Sequence, residues 1–256
     1  MSTSLSLEKG LHILNMLKEA NGAMGVREMA RRLDVSPSVA QRLLNTLAEQ
    51  GFVEQDITTR RYQLGYAVLG LAQHVSQRGR LLDLAKKELQ TLAEGGCFNG
   101  FLGVQRGSVG IYVLGVQSNS PVVIRAQPGE TMPLHATALG KALMFDADDR
   151  GISKLFENRV DRYTDRTITE PDKLIQQIHS ARGQGYATAI SEHVEGVISV
   201  GAPVRDETGS IVAAMSLAFP RAVYPKVKIT DVAQDILEAA NRVSSGLGFE
   251  QSSERE

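Results

Sequence analysis

The run Ser36-Pro37-Ser38-Val39-Ala40-Gln41-Arg42-Leu43-Leu44-Asn45-Thr46-Leu47 constrains this chain more than any other stretch, because it writes two opposed stripes on one short helix. Ala40, Leu43, Leu44 and Leu47 recur at i, i+3, i+4 and i+7, while Ser38, Gln41, Arg42 and Asn45 recur with the same spacing about 160° round the helix. One face is built for burial. The other carries hydroxyls, amides and a guanidinium, the groups that reach base edges and phosphates in a major groove. Ser36 is a good N-cap, and Pro37 takes the first helical position, where its missing N–H costs nothing.

The flanking sequence agrees with a DNA-reading helix. Val26, Met29, Ala30 and Leu33 predict a preceding short helix joined by Asp34 and Val35 alone, a connection that forces a steep helix crossing, the helix-turn-helix arrangement. Leu7, Leu11, Leu14 and Leu17 predict a longer amphipathic helix that closes a three-helix core, with Asn21, Gly22 and Gly25 supplying the break. After Gly51, residues 52–55 and 61–64 flank the tip 56–60 as a hairpin with a basic edge. Residues 1–65 therefore read as a winged helix-turn-helix. Arg27, Ser36, Ser38, Gln41, Arg42 and Asn45 face the duplex, and Arg60 and Arg61 touch its backbone or minor groove. The plainer alternative is a small helical domain on which Gln41 and Arg42 are simply solvated. Charge leans toward DNA: residues 1–80 carry a net +3 and the remainder a net −4, an asymmetry of the right sign but too small to settle the matter alone.

A chain of 256 residues has room for two domains. No apolar run approaches the ~20 residues of a membrane span, and Met1-Ser2-Thr3-Ser4 lacks the basic and apolar regions of a secretory signal, so no membrane partner and a cytoplasmic location are expected. The one cysteine, Cys97, excludes an internal disulfide and a cysteine-rich metal finger, and is expected to be a small core residue. Residues 66–80 read as a linker helix whose apolar positions Tyr66, Leu69, Ala72 and Val75 lie on more than one face, as if packed against a partner. Residues 81–250 form the second domain, opened by a helix with Leu82, Ala85, Leu89 and Leu92 inward. Strands follow at 98–105, 110–117 and 122–127, then a helix at 137–145, an irregular acidic stretch and a helix at 171–183. Strands at 186–191, 198–205 and 210–219 precede a closing helix with Ile229, Val232, Ala233, Ile236, Ala240 and Val243 on one face; residues 251–256 are a polar tail expected to fray. Six antiparallel strands among helices define an α+β domain with one sheet face free to hold a ligand.

Catalysis finds little footing. There is no Gly-x-Ser-x-Gly elbow, His-Glu-x-x-His pair or dinucleotide fingerprint, and His12, His74, His135, His179 and His193 show no metal-ligand spacing, so neither a cofactor nor a metal is expected. Gly140-Lys141 is no phosphate loop, because His135 stands where the first glycine belongs and Ala142 where the magnesium-binding hydroxyl belongs. His135 is expected to bond locally at its turn, and Asp161, Asp165 and Glu170 to be solvated. Two other classes stay open: an enzyme with an accessory DNA-binding head, and a ligand-independent DNA-binding scaffold.

The chain resembles the IclR-type bacterial transcriptional regulators. In the head the matching residues are 8–11 with Ile13-Leu14, the run 36–44, and Arg61-Tyr62-Gln63-Leu64-Gly65; in the body they are 133–142, Gly185-Tyr186-Ala187, Glu192 with Gly196, and Gly201-Ala202-Pro203-Val204. The resemblance implies a winged helix-turn-helix head and a GAF-like antiparallel sheet effector domain. It also implies homodimers or homotetramers on palindromic operators in double-stranded DNA upstream of catabolic or stress genes. Repression is the leading reading; activation of aromatic-acid catabolism is the alternative. The resemblance places a small organic-acid effector against the sheet, its carboxylate at the Ala138 and Leu139 amides of the helix opening near Thr137, with Ser199 and Ser216 bonding the remainder. The pattern is broken at Ala189, where Asp is frequent, at Ser199, where Cys is common, and at Ala218, where Ser is usual. An acid with a larger apolar or aromatic part is therefore expected. The two serines are as readily satisfied by backbone groups, and Ala138 and Leu139 as readily part of a helix core.

Overall fold

The computed structural model describes residues 4–20, 22–76, 79–95, 98–157 and 160–250, with the backbone alone at 72–76; the expectations for Cys97 and for the tail 251–256 lie outside them. The chain divides into two compact units, Met1–Arg78 and Gly79–Glu256.

The first unit runs α1 (Leu5–Glu19), α2 (Val26–Arg32), α3 (Pro37–Glu49), the antiparallel pair β1 (Val53–Gln55) and β2 (Tyr62–Leu64), then α4 (Ala67–Ser76). Asp34 sits at φ 51°, the left-handed conformation that turns α2 sharply into α3. Ser36 Oγ accepts from the Val39 N–H at 3.4 Å, which caps α3. Met24 exchanges backbone hydrogen bonds with Tyr62, both 2.8 Å, and so ties the approach to α2 against the wing. The core is Ile13, Leu17, Met24, Met29, Leu44, Val53 and Tyr62. This corrects the stripe expected on α1. The face turned inward is Gly10, Ile13 and Leu17, whereas Leu7 and Leu11 are 64% and 52% exposed. The leucines lie a quarter turn away and border an apolar groove with Val39, Leu43 and Leu47 of α3.

The second unit contains α5 (Arg80–Glu94), β3 (Asn99–Arg106), β4 (Val109–Val116), β5 (Thr131–Pro133), α6 (Ala138–Leu143), α7 (Asp149–Ser153) with a 3-10 turn (Lys154–Phe156), and α8 (Pro171–Gln184). It continues with β6 (Ala187–Ile190), β7 (Val197–Arg205), β8 (Ile211–Pro220) and α9 (Ile229–Gly246). The strands form one antiparallel sheet in the order β5-β4-β3-β8-β7-β6. One face, with Leu102, Val200, Ala202, Met215, Leu217 and Phe219, is buried under Ala85 and Leu89 of α5 and Val232, Ile236 and Val243 of α9. The other face, with Phe101, Ala214 and Ala218, meets Leu139 and Leu143 of α6 and Leu174 and Ile178 of α8. Both faces being covered explains why the central strands are apolar almost throughout instead of alternating.

Residues 122–127 are not the expected strand. The edge partner of β4 is instead β5, reached through a turn in which Tyr112 N–H donates to Glu130 O at 2.9 Å and Gly129 N–H donates to Tyr112 O at 2.7 Å. Val122, Val123 and Ile124 have strand-forming side chains, but Pro121 and Pro128 bracket them and the segment is used as cover for the sheet. The acidic stretch also holds α7 and its 3-10 turn, which lack a periodic apolar stripe long enough to read from sequence.

Sheet and α6 approach most closely at Gly201. A Cβ there would lie 2.8 Å from the carbonyl carbon and oxygen of Ala138 and 3.0 Å from Leu139 N. Gly201→Ala is expected to lower unfolding free energy by about 1–3 kcal/mol, measured by urea denaturation, because backbone has to move to admit the methyl.

Candidate functional site

On the head, α3 presents Ser38, Arg42 and Asn45 to solvent. Gln41 is half-buried: its Nε2 donates to Asn45 Oδ1 at 2.8 Å and to the Tyr62 hydroxyl at 2.7 Å, so it braces α3 against the β1-β2 hairpin. Ser36 and Ser38 share a hydroxyl hydrogen bond of 2.9 Å at the cap. Arg27 is exposed on α2, and Arg60 stands at the wing tip with φ 57°. Arg61 is engaged: Nε donates to Ala23 O at 2.9 Å, and its guanidinium lies 3.6 Å from Glu28, which also pairs with Arg32 at 3.0 Å. Among the described residues Arg27, Arg42 and Arg60 have no ion-pair partner, as Lys9, Lys18 and Arg31 have none, which leaves these cations free for phosphates or base edges.

On the body, strand register gathers the expected ligand residues. Ala189 pairs with Ser199 and Ser199 with Ala218; one step along the same face Gly201 pairs with Ser216 and Ser216 with Phe101. Small side chains in two adjacent rows leave a hollow under α6, a cavity of about 170 Å³. Thr137, Leu139, Ala189, Ser199, Ser216 and Ala218 line it, together with Phe101, Tyr112 and Ile124. Ala138 does not, because it lies against Gly201. Thr137 caps α6, its Oγ1 accepting from Gly140 N–H and donating to Pro133 O, both at 3.0 Å. Among the described residues the amides of Ala138 and Leu139 and the hydroxyls of Ser199 and Ser216 have no hydrogen-bond partner. Tyr112 on the wall has its phenol pushed up to about 12 by burial and by the neighbouring Glu130, so it stays protonated.

Glu192 and His193 also line the cavity, and neither was singled out as a ligand residue from sequence. Glu192 Oε2 accepts from Lys141 Nζ at 2.6 Å, with the two side chains 8% and 1% exposed, and Lys141 donates a second bond to Thr188 O at 3.1 Å. The lysine is held below its ordinary value by burial, opposed by the Glu192 carboxylate. The signal for it was an apolar setting, Leu139, Ala142 and Leu143 around one lysine on a short helix. His135 does not bond locally as expected: Nε2 meets Asp161 O at 3.0 Å and ties down the loop around 160–167. In the same loop Thr167 Oγ1 donates to Glu192 O at 2.6 Å and Thr164 Oγ1 to Ser191 O at 2.6 Å. Elsewhere Glu170 pairs with Lys173 at 2.7 Å on the surface, and no cluster of metal-ligating side chains occurs among the described residues.

Comparison with known proteins identifies the arrangement. The description "Bacterial transcriptional regulator IclR C-terminal" matches residues 73–245, and "IclR helix-turn-helix domain" matches residues 6–56. The chain belongs to the IclR family of bacterial transcriptional regulators, whose members are regulators and not enzymes. It is 28% identical over 243 residues to the HTH-type transcriptional regulator BhcR of Paracoccus denitrificans, covering 94% of this chain and 87% of that one. It is 26% identical over 247 residues to the HTH-type transcriptional repressor AllR of Escherichia coli, covering 95% and 90%. The Thermotoga maritima IclR structure superposes with a TM-score of 0.77 at 26% identity, covering 95% of this chain and 98% of that one. An IclR homologue from Microbacterium hydrocarbonoxydans, solved with 4-hydroxybenzoate, shares the fold at TM-score 0.80 and 20% identity over 94% and 98%.

Two outcomes follow from the buried charges. Lys141→Met strands the Glu192 carboxylate and is expected to cost about 3–5 kcal/mol in denaturant unfolding, while the double variant Lys141→Met/Glu192→Met is expected to lie near the parent. Burial holds both His135 and His193 below the ordinary imidazole value of 6.5. Protonation therefore favours the unfolded chain, so their contribution is fully present above pH 6.5 and is lost as pH falls through the lowered folded-state values. The denaturation midpoint should fall between about pH 7 and about pH 5, and less steeply in His135→Gln/His193→Gln.

Proposed function

We propose that this regulator is a repressor of catabolic genes acting in the cytoplasm. As a homodimer or homotetramer it holds a palindromic operator, and it lets go when a small organic acid enters the cavity under α6. The observation that carries this reading is the gathering of the Ser199 and Ser216 hydroxyls, which have no hydrogen-bond partner among the described residues, with Leu139 at the start of α6 in one hollow walled by Phe101, Tyr112 and Ile124. Hydroxyls and amides hydrated in an open cavity exchange that water for a ligand's carboxylate at little cost, and apolar walls reward the rest of the molecule. Repression is supported by the name of the AllR relative, and the 4-hydroxybenzoate complex illustrates that this fold admits an aromatic acid. Binding shifts operator occupancy only if the acid has different affinities for the two arrangements of the heads.

Calorimetry and thermal-shift screening of aromatic and medium-chain acids, followed by gel shifts on the operator with each binder, test the reading. At least one such acid is expected to bind and to weaken the DNA complex. Tight binding of glyoxylate or pyruvate with no response to larger acids overturns the size assignment, and an operator affinity that no bound acid moves favours a scaffold. Arg42→Ala is expected to weaken operator binding by about 1–3 kcal/mol, and an unchanged footprint removes Arg42 from the reading face.

A further inference from the structure

Glu192 is placed with more care than an ion pair alone requires. Its backbone carbonyl accepts from Thr167 Oγ1 at 2.6 Å and Thr164 Oγ1 at 3.3 Å, and Gly196, at φ 75°, donates its N–H to Ser191 Oγ at 3.0 Å to close the loop that carries it. Lys141 then fixes one carboxylate oxygen, Oε2, from below. The other oxygen, Oε1, accepts no hydrogen bond among the described residues, and the side chain lines the cavity. That oxygen is not sealed in the interior, and its residue borders the hollow. The fold thus holds a carboxylate with one oxygen engaged by Lys141 and the other without a protein partner beside the cavity.

The chemistry of that oxygen is selective. An ionised carboxylate only accepts, so the ligand atom facing it must donate. Serine hydroxyls such as Ser199 and Ser216 donate or accept and do not discriminate. Glu130, the other carboxylate on the lining, is exposed at the rim, where water competes. Lys141 already balances the charge of Glu192, which leaves no surplus to hold a ligand ammonium and makes a neutral O–H the matching donor. A volume of about 170 Å³ lies below the ~300 Å³ at which drug-sized pockets begin, which confines the ligand to one small ring or a short chain.

We infer that Glu192 is a specificity-determining residue that selects a hydroxylated organic acid, its O–H donated to Oε1. This rests on the organic-acid reading of the cavity and adds to it the class of effector. A hydrogen bond to a charged, largely buried acceptor is worth about tenfold or more in affinity over the analogue that lacks the donor.

The test is calorimetry of the full chain with benzoate, 3-hydroxybenzoate and 4-hydroxybenzoate. At least one hydroxybenzoate is expected to bind about tenfold or more tightly than benzoate. In Glu192→Gln the amide oxygen takes the Lys141 bond and an NH2 replaces the free acceptor, so that preference should collapse to less than about threefold. Because the single change disturbs a buried pair, Lys141→Met/Glu192→Met is measured beside it and should still bind benzoate with the preference gone. Equal affinity of the parent for benzoate and both hydroxybenzoates overturns the inference and leaves the organic-acid reading standing, as does a preference that survives in both variants. Failure of all three acids, together with every acid of the wider screen, overturns that reading and this inference with it.

Discussion

The ion pair between Lys141 and Glu192 is the interaction around which the body is arranged. Removing two charges from water is costly, and the cost is recovered only when partner and hydrogen bonds are in place together. Here they are: Nζ meets a carboxylate and the Thr188 carbonyl, so α6, β6 and the loop before β7 are fixed by one ammonium group. The loop in turn receives the Thr164 and Thr167 hydroxyls, and His135 holds Asp161 of the same segment. The loops at 160–167 and 191–196 are thereby joined to one another, and the second of them borders the cavity through Glu192, His193 and Val194.

The cavity exists because the sheet gives up volume there. Ala189, Ser199, Ala218, Gly201 and Ser216 form two rows of small residues on the face opposite α5 and α9, where the equivalent rows are Val200, Met215 and Leu217. One face is buried under α5 and α9 and supplies cohesion; the other is left open where α6 begins and supplies room. Gly201 lets the start of α6 sit against the sheet, and Thr137 leaves the amides of Ala138 and Leu139 unused by bonding Gly140 instead.

What could be read beforehand follows how local each signal is. The cap at Ser36, the proline after it and the stripe on α3 are specified within a dozen residues, and the head was legible for that reason. The inward face of α1 was not, since Leu7 and Leu11 match the helical period of Leu14 as well as Ile13 and Leu17 match their own, and only contact with Met29 and Tyr62 chooses between them. Residues 122–127 have a strand's side chains without a strand's partner, a fact that belongs to β4 and β5 and not to the segment itself. The residues expected to hold a ligand came from family resemblance, and strand register accounts for Ala189, Ser199, Ser216 and Ala218 sharing one sheet face. Lys141 and Glu192 lie 51 positions apart, beyond any periodicity argument.

On the head, the bond from Gln41 to the Tyr62 hydroxyl and the tether from Arg61 to Ala23 join α3, the β1-β2 hairpin and the segment leading into α2. These parts therefore meet a duplex as a single rigid stamp. Losing either bond would free one part of the contact surface from the other two.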